Sequence, residues 1–260
     1  MKITVLTENV AGGRFLAEHG LSYLIESDGE KILFDTGHSN VFLKNAALLG
    51  IDICNDVENV VLSHGHWDHG DGLQFLKNKT LITHPASFTK RFRKTDHSPV
   101  GLSFTKEKIL KKFRLTETIN HYQITGNLRF LGEIPRLNEF ESQTTPFIFE
   151  NGEDDFVPDD SALAAVVDHE LIVITGCSHA GICNICEYAK RVTGISRIKA
   201  VIGGFHLKYQ NQQTVETVEY FKKNEIEKLY PSHCTELPVL AKFHEVFGIE
   251  QVKTGMVIEF

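Results

Sequence analysis

The stretch Ser63-His64-Gly65-His66-Trp67-Asp68-His69-Gly70 decides the fold and the chemistry of this 260-residue chain. Four of its side chains are imidazoles or a carboxylate, groups that bind zinc, iron or manganese: His64, His66, Asp68 and His69. One tight loop cannot direct all four at a single ion without strain. We therefore predict that His64 and His66 share one ion, while Asp68 and His69 face a second ion a few ångströms away. Two ions about 3.5–4 Å apart can bind a phosphate or carbonyl oxygen.

Short apolar runs rich in Val and Ile end in polar tips at five places along the chain. The tips that follow them, beside Gly or Ser, are Asp35, His64, His179, His206 and His233. If the carboxyl ends of these strands lie together, the tips converge on the edge where open α/β sheets place ligands. A hairpin pattern precedes Asp35, and capped apolar stripes between the later runs predict helices. The fold class predicted is α/β.

Charge is segregated between about residues 85 and 158, where the alternation of strands and helices fades. From residue 88 to residue 114 the local balance is +7, and residues 139–160 carry eight acidic side chains and no Lys or Arg. We predict an insertion over the active-site edge of a single domain spanning residues 1–260. Lys90, Arg91 and Arg93 are the candidates for binding a substrate phosphate. The alternative is a solvated helix face that only keeps the insertion soluble.

Composition excludes several classes of protein. Hydrophobic residues make up 42% and charged residues 23%, as in folded globular proteins, and the net charge of −7 argues against a general nucleic-acid binder. No run approaches the ~20 apolar residues that span a bilayer, and the N-terminus turns polar too early for a secretory signal. The five cysteines are an odd number in a chain too large to need disulfides. We expect a cytoplasmic protein with reduced thiols and no membrane partner.

Together these motifs resemble the metallo-β-lactamase superfamily of αββα sandwich metallohydrolases. Finer features are similar to the branch named for 7,8-dihydropterin-6-methyl-4-(β-D-ribofuranosyl)aminobenzene 5′-phosphate synthase, and they lie in six segments: Glu18–Ser22, Leu33–Gly37, Leu131–Arg136, Ile174–Ile182, Ile202–Leu207 and His233–Thr235. The resemblance implies a four-layer αββα sandwich with an inserted segment. It also implies a reaction that joins a dihydropterin diphosphate to an aryl amine carrying ribose phosphate.

The superfamily pattern implies which residues bind metal. It assigns His64 and His66 to the first ion, and Asp68, His69 and His233 to the second. Cys177 stands where most dinuclear relatives place a bridging Asp, so we expect His179 to supply the missing imidazole. Cys177 and Asp160 are alternative ligands or neighbours of the ligands. The implied cofactors are two divalent ions, zinc first, with manganese or iron as alternatives.

Four further residues are candidates for the site. Asp35 is expected to accept the second N–H of a liganding histidine, although a turn-capping carboxylate is the alternative. Asp68 is expected to ligate metal or to accept a proton during the reaction. His206 is expected to contact substrate, with a satisfied core histidine as the alternative. His84, where the predicted insertion begins, is a weaker candidate for a substrate contact.

The function predicted is that of a metal-dependent enzyme acting on a phosphorylated or diphosphate small molecule. The alternatives are a phosphoester hydrolase of unknown substrate and a non-catalytic metal-binding regulatory protein. A diiron oxygen or nitric oxide reductase is disfavoured, because that chemistry usually requires a Glu at the position where this chain has His66. It also requires a flavin module, which is absent from this sequence.

Overall fold

The computed structural model describes residues 1–260. Whereas the sequence predicts one domain, contacts group the residues into two compact units. The first unit comprises Met1–Ile119, Thr145–Asp155 and Lys253–Phe260, and the second comprises Asn120–Thr144 and Phe156–Val252. Each unit contains a large sheet and a hydrophobic core of its own.

The secondary structure alternates strands and helices along most of the chain. The strands are β1 (Lys2–Thr7), β2 (Ser22–Ser27), β3 (Glu30–Phe34), β4 (Asn59–Val61), β5 (Lys79–Thr83), β6 (Arg91–Arg93), β7 (Phe113–Glu117), β8 (Tyr122–Gln123), β9 (Leu128–Phe130), β10 (Phe147–Phe149), β11 (Ala162–Val167), β12 (Glu170–Thr175), β13 (Ile198–Gly204), β14 (Lys228–Ser232) and β15 (Val257–Glu259). The helices are α1 (Val41–Leu48), α2 (Ile53–Asp56), α3 (Trp67–Gly70), α4 (Lys106–Leu110), α5 (Ile182–Thr193), α6 (Gln212–Lys223) and α7 (Leu237–Phe247). None of these helices combines the length and the hydrophobicity that a membrane-spanning helix requires.

The first unit is built on a seven-stranded sheet in the order β15-β1-β2-β3-β4-β5-β7. The predicted hairpin is present as β2 and β3, which pair antiparallel around a turn at Asp28 and Gly29. From β3 to β7 the neighbouring strands run parallel, so their carboxyl ends lie along one edge of this sheet. Helix α1 packs Phe42 and Ala46 into the core of this unit, among Leu and Val side chains of the strands.

The second unit is built on a six-stranded sheet in the order β14-β13-β12-β11-β9-β8. Strands β12, β13 and β14 are parallel and carry their carboxyl ends to a common edge. Helices α5, α6 and α7 contribute buried side chains to one core, in which Phe205, Phe221 and Phe243 meet with ring centroids 5.6–6.0 Å apart. The predicted strand ends are thus correct within each sheet.

The segment predicted as an insertion, residues 85–158, is only partly separate from the sheets. Strand β7 is an edge strand of the first sheet, and β8 and β9 belong to the second. Strands β6 and β10 form a separate two-stranded sheet, in which Phe147 pairs with Arg93 and Phe149 with Arg91. The alternation was missed because these strands are short and partly exposed, which removes the apolar runs that reveal buried strands.

Candidate metal centre

The loop that carries the motif, Ser63–Gly70, follows β4 and leads directly into α3. Gly65 is required in this loop, because a Cβ there would lie 1.8 Å from the carbonyl oxygen of Ser87. His66 is the N-cap residue of α3 and has an extended backbone conformation, so it lies just outside the first helical turn. The backbone thus separates the first two ligand candidates from Asp68 and His69, which lie within the helical turn.

His64 and His66 are buried and present ring nitrogens to each other. The distance between His64 Nε2 and His66 Nδ1 is 3.1 Å. A tetrahedral zinc with Zn–N bonds of about 2.0–2.1 Å holds its ligand atoms roughly 3.3 Å apart. Burial, with the neighbouring His69 and His66, holds the pKa of His64 well below its usual range. The imidazole of His64 is therefore neutral, which is the form that binds metal.

Asp68 and His69 form the other half of the motif. Asp68 Oδ2 lies 3.9 Å from His69 Nε2, and both residues are buried. The separation between the two donor atoms is longer than the roughly 3.3 Å edge of a zinc coordination tetrahedron. The motif loop thus offers one carboxylate oxygen and imidazole nitrogens of the kind that bind divalent transition metals.

Asp35 fixes the orientation of two of these imidazoles. Its Oδ2 lies 2.7 Å from His69 Nδ1, and because the carboxylate can only accept, His69 carries its proton on Nδ1 and keeps the Nε2 lone pair. Ser63 donates its amide to Oδ1 and its hydroxyl to Oδ2, both at 2.7 Å. The Ser63 oxygen then accepts from His64 Nδ1 at 2.9 Å. One buried carboxylate therefore directs Nε2 of both His64 and His69 away from itself.

The second unit brings four of the predicted residues to the carboxyl ends of its parallel strands. Cys177 and His179 follow β12, His206 follows β13 and His233 follows β14. The rings of His179 and His206 lie with centroids 4.3 Å apart, and Cys177 and His233 are buried. Cys234 donates its thiol to the carbonyl oxygen of Cys177 at 3.3 Å, which links the ends of β12 and β14.

Asp160 lies beside the loop that carries His179. Its Oδ2 accepts the amide of Ala180 at 2.8 Å, whereas its buried Oδ1 has no hydrogen-bond partner. Burial raises the pKa of this carboxyl from 3.8 to about 7. A buried carboxylate oxygen without a donor is costly in an uncharged pocket, and a nearby cation removes that cost.

Left-handed backbone conformations recur at these strand ends. The φ angles of Asp35, Ser178, His206 and His233 lie between 49° and 62°. Each such conformation costs a non-glycine residue about 1–3 kcal/mol and persists only where the surroundings enforce it. Ser178 shows how this is done, because its hydroxyl donates to Gly204 O at 2.6 Å and lies 2.9 Å from Thr175 Oγ1. Strain at residues carrying potential ligands is typical of functional sites.

The basic segment does not form the free cationic face predicted for phosphate. Arg91 is completely buried, where its Nε lies 3.3 Å from Asp155 Oδ2 and its Nη2 donates to Ala86 O. Lys90 pairs with Glu150 at 2.8 Å, and Lys94 pairs with Asp154 at 2.8 Å. The pairing of β6 with β10 places basic side chains beside acidic ones. Burial of Arg91 against Asp155 disfavours its predicted contact with phosphate, Lys90 is paired with Glu150, and Arg93 is exposed. Phosphate binding by these residues stays a prediction.

Three further residues have local structural roles. His84 is buried and caps the short 3₁₀-helix Pro85–Phe88 by accepting the amide of Ala86 at 3.1 Å. Its role as a substrate contact stays a prediction. Cys183 and Cys186, whose spacing is that of a redox motif, are buried in the core of the second unit, and burial raises the pKa of both thiols. They pack as apolar side chains.

Glu141 is a structural residue of the His179 region that the sequence did not reveal. It is fully buried and accepts the amides of Cys183 and Asn184, each at 2.9 Å, at the N-terminus of α5. Gly181, at φ 103°, is needed because a Cβ there would lie 2.5 Å from the carboxylate. Ser142, the next residue, donates to the carbonyl oxygen of His179. A carboxylate 42 residues upstream of the helix gives no local capping signal.

We expect Glu141→Ala to lower the free energy of unfolding by about 1–3 kcal/mol, because buried helix-end amides lose their acceptor. Denaturant titration of the chelator-treated protein measures the change. Glu139→Ala removes an exposed carboxylate from the same segment and should leave the midpoint within error. Equal destabilisation by both variants would contradict this capping role.

Comparisons with known proteins agree with the α/β fold described above. The sequence model of the metallo-beta-lactamase superfamily matches residues 17–233. The chain belongs to this superfamily. The structure of Tm1679, described as a metal-dependent hydrolase of the beta-lactamase superfamily, has a TM-score of 0.87 and 32% identity, covering 100% of this chain and 99% of that one. A diphosphatase from the PhnP family, at 15% identity with full coverage of this chain and 97% of that one, has a TM-score of 0.58 and supports the fold alone.

A protein of Methanocaldococcus jannaschii resembles the chain over its whole length. It is named 7,8-dihydropterin-6-methyl-4-(beta-D-ribofuranosyl)-aminobenzene-5′-phosphate synthase, and it is 33% identical, covering 100% of this chain and 97% of that protein. The resemblance to the superfamily and to this branch is confirmed, as is the predicted αββα fold class. The chain is thus a member of a family of generally metal-dependent enzymes, with imidazole and carboxylate groups suited to divalent metals.

Proposed function

We propose that this superfamily member is a metal-dependent enzyme that couples a dihydropterin diphosphate to an aryl amine carrying ribose phosphate. The observation that carries the proposal is the full-length 33% identity to the synthase of M. jannaschii. The intact motif from His64 to His69, with donor atoms at ligand-like distances, supports a working metal site rather than a vestigial one.

The metal ligands that we propose come from two kinds of support. The geometry of the motif loop supports His64, His66, Asp68 and His69. The superfamily pattern supports His179 and His233, which lie at strand ends of the second unit with Cys177 and Asp160 as neighbours or alternatives. Imidazole with few carboxylates favours zinc, and manganese and iron suit the same donors. We propose two ions per chain.

In the proposed reaction the amine nitrogen forms a bond to the methylene carbon of the pterin. The bond from that carbon to the diphosphate oxygen breaks, the diphosphate departs with the electron pair, and the nitrogen loses a proton. Bound divalent ions would stabilise the negative charge that develops on the diphosphate. Asp35 and Ser63 hold the imidazoles of His64 and His69 in place, and Asp68 and His206 are the candidates to accept the proton or contact substrate.

The test is an incubation of the zinc-loaded protein with the dihydropterin diphosphate, with and without the phosphorylated aryl amine. We expect the coupled product by mass spectrometry, together with one equivalent of diphosphate, only when both substrates and metal are present. Diphosphate release that is independent of the amine would contradict the coupling reaction. Chelator-treated protein is the control.

The second candidate function is hydrolysis of a phosphoester. The likeness to Tm1679, whose structure is described as that of a metal-dependent hydrolase, favours it. Water would then replace the amine as nucleophile at the same groups. Release of phosphate or diphosphate without coupling in the same incubation distinguishes the hydrolase from the synthase.

A further inference from the structure

His19 lies directly beside the metal motif, although no pattern in the sequence assigned it a role. Its Nε2 is 3.2 Å from Asp68 Oδ2, the same oxygen that lies 3.9 Å from His69 Nε2. The side chain of His19 is 55% exposed, whereas that of Asp68 is 11% exposed. His19 therefore lies on the solvent-exposed side of Asp68.

The loop that carries His19 is held on both sides of this residue. Glu18 accepts the amides of His38 and Ser39, each at 3.0 Å, and the hydroxyl of Ser39 at 2.5 Å. On the other side the amide of Leu21 donates to Asp68 O at 3.2 Å. The bonds of Glu18 fix the loop to the segment at His38 and Ser39, and the bond of Leu21 fixes it to the motif loop. The backbone therefore holds the imidazole of His19 in place.

Gly20 and Gly37 show how closely the two loops approach. A Cβ on Gly20 would lie 2.9 Å from Asp68 O, and one on Gly37, at φ 67°, would lie 2.7 Å from Glu18 Oε1. The Gly20 amide also donates to Asn9 Oδ1 at 3.2 Å. Two glycines thus permit the contact that brings His19 to Asp68.

We propose that His19 is an additional ligand of the ion bound by Asp68. The proposal rests on the metal site of the proposed function. Ligand atoms of one zinc ion lie roughly 3.3 Å apart, and the 3.2 Å from His19 Nε2 to Asp68 Oδ2 matches that edge. Because its ring is exposed, His19 is the ligand that substrate can displace.

His38 provides a matched control for this proposal. Both histidines contact Trp67, with ring centroids 5.5 Å away for His19 and 4.7 Å away for His38. His38 is exposed like His19, but its side chain makes no hydrogen bond or ion pair with Asp68. His19→Ala and His38→Ala each remove an imidazole that contacts the indole of Trp67. Only His19→Ala removes the group beside Asp68.

The test uses the Co²⁺-substituted protein, whose visible absorption reports the atoms that coordinate the ion. We expect His19→Ala to weaken binding of the second Co²⁺ by about 100-fold in competition with a chromophoric chelator, and to alter the spectrum of that ion. Added imidazole should restore the spectrum. His38→Ala should bind both ions within about twofold of wild type, with the wild-type spectrum.

An unaltered spectrum in His19→Ala, with or without weaker binding, would overturn the ligand assignment, and weaker binding would then indicate only a hydrogen bond to Asp68. Loss of fold in His19→Ala is checked by its thermal midpoint, and His19→Gln serves as the second variant, with the same spectral change expected. If the wild type bound no Co²⁺ at the motif, the proposed function itself would fail. The two failures are thus distinguishable.

Discussion

His66→Ala is expected to lose metal and activity together. The ring of His66 offers Nδ1 at 3.1 Å from His64 Nε2, so its removal leaves the first ion with one ligand fewer from the motif loop. A metal ion contributes several kcal/mol to charge stabilisation, which corresponds to a fall in turnover of about 10³-fold. Elemental analysis of the purified protein should fall from close to two ions per chain to one or fewer.

The control for this variant is His121→Ala, which removes an exposed imidazole from another part of the chain. It should keep the metal content and turnover of the wild type. If His66→Ala retained the full wild-type metal content, the assignment of the motif would be wrong. A thermal midpoint close to that of the apoprotein would show that the loss is one of metal and not of fold.

Asp35→Asn is expected to weaken metal binding by about 10–100-fold, the usual effect of removing a group that orients a ligand. Asn offers one acceptor where Asp35 now serves His69 Nδ1 and both donors of Ser63. One buried donor then faces an amide N–H, which costs about 1–3 kcal/mol of stability in addition. Metal affinity by chelator competition and the free energy of unfolding of the apoprotein measure the two effects separately.

Asn is a suitable replacement because it tolerates the left-handed backbone of Asp35, at φ 56°. Asp28→Asn is the matched control, since Asp28 has φ 54° but is exposed in the turn of the hairpin. Wild-type affinity in Asp35→Asn would show that this carboxylate only caps a turn, which is the alternative that the sequence left open.

The sequence predicted those parts of the site that depend on residues close together in the chain. The motif from His64 to His69 lies in one loop, and the strand that precedes Asp35 is a continuous apolar run. The same holds for the runs before His179, His206 and His233, which the structure places at the carboxyl ends of parallel strands. Spacing and periodicity are sufficient for these elements, because each depends on residues close in the chain.

The parts that the sequence missed depend on contacts between distant segments. The basic residues around Arg91 were predicted to bind phosphate, but the segment that follows strand β10, more than fifty residues later, supplies their acidic partners. Glu141 reaches the N-terminus of α5 across 42 residues, and His19 reaches Asp68 across a loop with no ligand spacing. Charge and composition predict the sign of such groups, but only the three-dimensional structure shows which of them are in contact.

Anomalous diffraction at the zinc edge, from crystals soaked with the dihydropterin diphosphate and the phosphorylated aryl amine, tests the central claim most directly. The account predicts two anomalous peaks, one at bonding distance from His64 Nε2 and His66 Nδ1 and the other from Asp68 and His69 Nε2, with diphosphate density against them. Crystals that hold the substrates but show no peak at these four side chains would contradict it.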